Sequence, residues 1–111
     1  DAFVVNRPEI LERLGGDEEI LVMMFDMFQQ DLESNCGALA AAIESGQAEE
    51  IRREAHTVKG LLATFSDDAG AAAAIAVEQQ AKAGNTEGLA DSARALERRM
   101  REVAAVLAAS R

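Results

Sequence analysis

Apolar side chains recur at steps of three or four residues along most of this chain, and that period decides what it can fold into. One stripe runs Leu21, Phe25, Phe28, Leu32, Cys36, Leu39 and Ile43. A second runs Ile51, Ala55, Val58, Leu62 and Phe65, and a third runs Leu89, Ala93, Leu96, Met100, Val103 and Leu107. An α-helix turns about 100° per residue, so each set lies on one helix face. No segment requires a strand.

Turn signals separate the stripes. In "NRPEILERLGG" Asn6 can cap, Pro8 sits in a first turn, Glu9 completes a capping-box spacing, and Gly15 and Gly16 stop a short helix. Asp17 can cap the next helix, with Glu18 and Glu19 favourable at its positive end. The spacing predicts that helix over Asp17 to Ser45, with Gly46 ending it, and a third over Ala48 to Phe65. Ser66, followed by Asp67 and Asp68, reads as the cap of a fourth helix that ends near Ala83 and Gly84. The turn "GNT" precedes the last. Four amphipathic helices joined by short turns pack best as an antiparallel bundle. The expected fold is all-α: one domain over residues 1–111, an antiparallel up-and-down four-helix bundle with a short additional N-terminal helix over one end.

Composition agrees and excludes several functions. The chain has 111 residues, 49% of them apolar, with no Trp or Tyr and a single Pro. That length supports a core without disulfides or structural metal. The formal net charge is −9. Nucleic acid and anionic membranes both select basic faces, so neither is an expected partner. The longest uninterrupted run of apolar residues and glycine, Ala69 to Val77, falls far short of the ~20 residues that cross a bilayer. A single cysteine forms no internal disulfide, and no secretory signal is visible, so a cytoplasmic location is expected. The first residue is Asp1 rather than Met, which leaves open whether the chain stands alone or belongs to a larger protein.

The lone histidine carries the chemistry. With the third helix's stripe centred on Ile51, the residues Ala55, Val58, Leu62 and Phe65 fall within roughly 40° of it. His56 falls about 140° away and faces outward. Arg52, Lys59, Gly60 and Ala63 lie on its side of the helix. A mid-helix glycine is about 1 kcal/mol less favourable than alanine, so Gly60 needs a reason. Open space one turn beyond an exposed imidazole admits an incoming group. An imidazole with an ordinary pKa near 6.5 offers a free lone pair at neutral pH, which suits a phosphoryl acceptor. Lys59 is placed to offset charge on transferred oxygens.

The segment "AHTVKG", residues 55 to 60, resembles the His-x-x-Lys-Gly signature of histidine-containing phosphotransfer (HPt) domains. The resemblance extends through "ILERLGGDEEILVMMFDMF", "ESGQAEEIRREAHT" and "VEQQAKAGN", and so covers nearly the whole chain. It implies a phosphorelay intermediate in two-component signalling. His56 would be the phosphoacceptor, through the ring nitrogen farther from the backbone. Lys59 would stabilise the phosphoryl group, and Gly60 would clear space for the partner. Glu78 or Gln79, on the next helix, would orient the ring. The implied partners are response-regulator receiver domains, and a hybrid sensor histidine kinase could contain the chain. The resemblance implies no cofactor in this chain, since the reactive aspartate and Mg²⁺ belong to the receiver. Two positions depart from the pattern. Ser66 stands where many members have glycine, and is expected to alter a turn. Gly70 stands where a larger apolar residue is common, and is expected to loosen packing of the fourth helix.

Other readings are weaker. A kinase dimerisation hairpin would carry a proline soon after its histidine, and no proline follows Pro8. With no glycine-rich nucleotide loop, ATP-dependent kinase activity is not expected. A di-iron bundle needs Glu-x-x-His pairs, which a single histidine cannot supply. Cys36 falls on a stripe and reads as packing. Ile20, Met23 and Met27 form a second apolar strip; the expectation is that the first helix covers it through Ile10, Leu11 and Leu14, the alternative being a docking patch. Arg52, Arg53 and Ala63 are candidate docking residues around His56. The rival classes are a non-catalytic adaptor that binds through the His56 face, and a bundle that dimerises there.

Overall fold

Most helices begin where a side chain takes up an orphan backbone N–H. In the computed structural model, which describes all 111 residues, Asn6 Oδ1 accepts from Glu9 N at 3.1 Å ahead of α1, Arg7–Arg13. Asp17 accepts from Glu19 N and Ile20 N ahead of α2, Glu18–Ser45. Gly46, at φ 67°, closes α2, and α3 follows as Ala48–Thr64. Asp67 accepts from Gly70 N at 3.0 Å ahead of α4, Asp68–Lys82. Gly88, at φ 70°, leads into α5, Leu89–Ala109. The expected architecture is present: five helices and no strand.

The long helices form a ring in which α3 packs on α2 and α4, and α5 closes between α4 and α2. The bundle measures 42 × 21 × 21 Å. The three stripes point inward and, Leu32 excepted, are buried. Phe65, the residue after α3, meets Phe25 and Phe28 edge-on at centroid distances of 5.7 and 5.2 Å. Such edge-to-face pairs add about 0.5–1.5 kcal/mol each beyond their buried area. The helix α4 packs most closely on α3, and its buried residues are Gly70, Ala74, Val77 and Ala81. Small residues let two helix backbones approach closely, and that closeness brings α4 within reach of His56.

Three expectations change. The cap of α4 is Asp67, not Ser66. Ser66 instead adopts φ 60°, the left-handed backbone that glycine takes most easily. Gly70 does not loosen the packing: an added Cβ would overlap the Asp67 carboxylate and sit 2.8 Å from Leu62 Cδ1. The helix α1 leaves the Ile20, Met23 and Met27 strip uncovered, with Met23 54% and Met27 51% exposed. The reason is Arg13, whose Nη2 donates to Thr64 O and Ser66 Oγ, each at 2.7 Å. Those bonds draw α1 over the C-terminal carbonyls of α3, where Ile10 is buried and Leu14 lies beside Met24 and Thr64.

Residues 1–6 carry no helix yet are tied down. Phe3 is buried, and its N–H donates to Glu102 Oε2 at 2.8 Å. Arg99 donates to Asp1 O, and Arg7 Nε donates to Ser110 O. The segment, with Arg7 at the start of α1, is therefore strapped to the C-terminal half of α5. No helix is long and apolar enough to cross a membrane.

Candidate functional site

The stripe of α3 turns Ile51, Ala55, Val58 and Leu62 into the core and leaves His56 outside, its side chain 60% exposed. Glu78 of α4 meets it across the close α3–α4 contact. His56 Nδ1 and Glu78 Oε2 are 2.9 Å apart. Lys59 Nζ lies 3.6 Å from the other carboxylate oxygen, Oε1, and 3.3 Å from His56 Nδ1. The three side chains form a triangle, with the Glu78 side chain only 19% exposed.

The protonation pattern follows from donor chemistry. Partial burial pushes the Glu78 carboxyl up, but the His56 hydrogen bond and the Lys59 charge outweigh it and hold the group below the ordinary 4.5. At neutral pH Glu78 is therefore an acceptor only. The proton in the 2.9 Å contact must come from the ring, so Nδ1 carries it. Nδ1 cannot then also accept from Lys59. The shorter contact decides, and Lys59 is held by the charge of Glu78. In the ring that holds one proton, Nε2 keeps the free lone pair, and the ring's orientation is fixed from the other side.

Around the triangle, Gly60 and Ala63 are exposed, and nothing lies within 4 Å of where a Gly60 Cβ would stand. No feature of the fold requires glycine there. Gln79 is exposed and makes no hydrogen bond to the ring, so of the two candidates Glu78 alone reaches it. Arg52 is not a free cation: its Nε donates to Glu49 Oε2 at 2.9 Å. Arg53 lies on the α2 side, beside Ala38, Ala41 and Glu50, and has no ion pair. Cys36 is buried, and burial pushes its thiol up, which makes it a poor nucleophile. No three His, Cys, Asp or Glu side chains converge as a metal-binding group would require.

The family model of the Hpt domain matches residues 23–109. The chain belongs to the Hpt domain family. Searches of curated proteins and of solved structures gave no significant match. Hpt domains serve phosphotransfer in two-component relays. In this Hpt domain the matched span starts within α2 and ends with α5, so it contains His56, Lys59, Gly60 and Glu78. The strap and α1 lie outside it.

Proposed function

We propose that His56 is the phosphoryl carrier of this Hpt domain, loaded by a phosphoaspartate of one receiver domain and unloaded by an aspartate of another. The Nε2 lone pair attacks phosphorus, the P–N bond forms, and the P–O bond to the aspartyl oxygen breaks, returning a carboxylate to the receiver. The ring becomes a phosphoimidazolium whose Nδ1–H still faces Glu78, and that carboxylate offsets the new positive charge. Delivery is the reverse. Lys59 exchanges its contact with Glu78 for the phosphoryl oxygens, and the open space at Gly60 accommodates the receiver's active-site edge. Mg²⁺ is supplied by the receiver. No ATP is consumed by this chain, and the reaction takes place in the cytoplasm, with the chain free or within a hybrid sensor kinase.

The observation that supports this reading is the contact of His56 Nδ1 with a carboxylate at 2.9 Å on a ring that is otherwise open to solvent. A histidine kept for packing would be enclosed, and one kept for solubility would need no fixed partner. The test is incubation with phosphorylated receiver domains followed by intact-mass spectrometry at mildly alkaline pH. One acid-labile phosphoryl group per chain is expected, absent from His56→Gln. Binding to the same receivers without transfer would favour the adaptor reading instead.

A further inference from the structure

We propose that Arg99 of α5, which makes no contact with His56, is a positioning residue for the ring, acting through Asp67 and the axial setting of α4. As far as phosphotransfer is concerned, this rests on the reading of His56 given above.

The helix α4 packs without large side chains. Its buried face is Gly70, Ala74, Val77 and Ala81. Small side chains bring helices close but interdigitate weakly, because specific packing comes from large knobs filling matched holes. A smooth interface of this kind resists sliding along the helix axis poorly. Yet the site needs that axial setting held: a slide of one residue, about 1.5 Å, would break a 2.9 Å hydrogen bond between His56 and Glu78.

A fixed point exists at the start of α4. Asp67 is 2% exposed, caps Gly70 N at 3.0 Å, and receives Arg99 Nε at 2.8 Å and Nη2 at 2.5 Å. Arg99 is itself 14% exposed and is bonded in turn to Asp1 O and Glu102. A planar guanidinium holding both oxygens of a carboxylate fixes distance and direction together. Gly70 fits under this pair with no room for a methyl group. Buried ion pairs contribute little net stability but can specify register, which is the service required here. Asp67 and Glu78 are eleven residues apart in the sequence, so they lie about 20° apart around α4 and three turns along it. Asp67 N also donates to Leu62 O of α3 at 3.0 Å, so the point that Arg99 grips is tied to α3 as well, and pinning it sets the height of Glu78 against His56.

The single histidine makes this testable. In ¹⁵N-labelled protein the imidazole signals belong to His56 alone and report which ring nitrogen carries the proton. Wild type is expected to show the Nδ1–H form, and Glu78→Ala to lose that preference. Arg99→Met, checked for folding by its amide spectrum, should move the ring signals toward those of Glu78→Ala. Phosphoryl acceptance should slow on the order of tenfold, as a misplaced reacting group does. In a Glu78→Ala background Arg99→Met should slow acceptance no further. If Arg99→Met does not fold, Asp67→Asn keeps a capping oxygen while removing the charge Arg99 grips, and the same readouts apply. A folded variant with wild-type ring signals overturns the proposal, as does a rate loss of equal size in the Glu78→Ala background. The ring signals need no phosphoryl donor, so they stand whether or not His56 proves to be the carrier.

Discussion

A methyl group added at Gly60 would meet no atom within 4 Å, whereas one added at Gly70 would overlap the carboxylate of Asp67. The two glycines answer to different constraints, one outside the chain and one inside it. Gly60→Ala should therefore stabilise the fold by about 0.5–1 kcal/mol, since it removes only the helix-interior penalty of glycine. The same substitution should slow transfer from a receiver. Gly70→Ala should destabilise by about 1–3 kcal/mol through overpacking. Urea unfolding and a transfer assay on the same samples check both. Gly60→Ala with wild-type transfer would show that the partner does not use that space.

Ser66 holds a left-handed backbone, and its hydroxyl accepts from Arg13 at 2.7 Å. Glycine would relieve roughly 1 kcal/mol of backbone strain but lose a hydrogen bond of similar size. Ser66→Gly should be close to neutral in wild type. In an Arg13→Ala background, where the bond is already gone, it should stabilise by about 1 kcal/mol. Equal effects in the two backgrounds would mean that the hydroxyl contact contributes nothing.

The Glu78 carboxyl sits below its ordinary 4.5 in the folded chain because His56 and Lys59 favour its charged form. The unfolded chain then binds more protons just below 4.5, so folding stability rises with pH there. The contribution is complete above 4.5 and is lost as pH falls through the folded value. Glu78→Gln should flatten that part of the stability–pH curve, as measured by thermal melts between acidic and neutral pH. An unchanged acid slope would contradict the placement of this carboxylate between His56 and Lys59.

Cys36 is 1% exposed on the inner face of α2. Thiol reagents should reach it only when the bundle opens, so labelling should be at least about a thousandfold slower in buffer than in denaturant. Rapid stoichiometric labelling of the native protein would place Cys36 outside the core.

Periodicity is local, and it was enough to read the helices, their inward faces and the outward direction of His56. It was not enough for the neighbours of an apolar strip. Ile20, Met23 and Met27 share a face, but whether α1 covers them depends on Arg13 reaching carbonyls some fifty positions away. The α4 cap falls on Asp67 rather than on Ser66, where the sequence placed it, for a related reason. Ser66 and Asp67 are both good capping residues, and the bond from Gly70 N to the Asp67 side chain, after a left-handed backbone at Ser66, assigns the role to Asp67. The pairing of Asp67 with Arg99 bridges separate elements and leaves no mark in spacing. Resemblance reached Glu78 without separating it from Gln79; their directions around α4 separate them.

The resting triangle also has an electrical consequence. Lys59 and Glu78 cancel, and the ring between them adds no charge when it holds one proton. An empty carrier thus presents an almost neutral spot on a chain whose net charge is −9. A phosphoryl group on Nε2 would turn that spot strongly anionic. Loaded and empty forms would then differ in how salt affects their encounters, and each would be told apart at a distance by any partner that carries charge around its own reactive site.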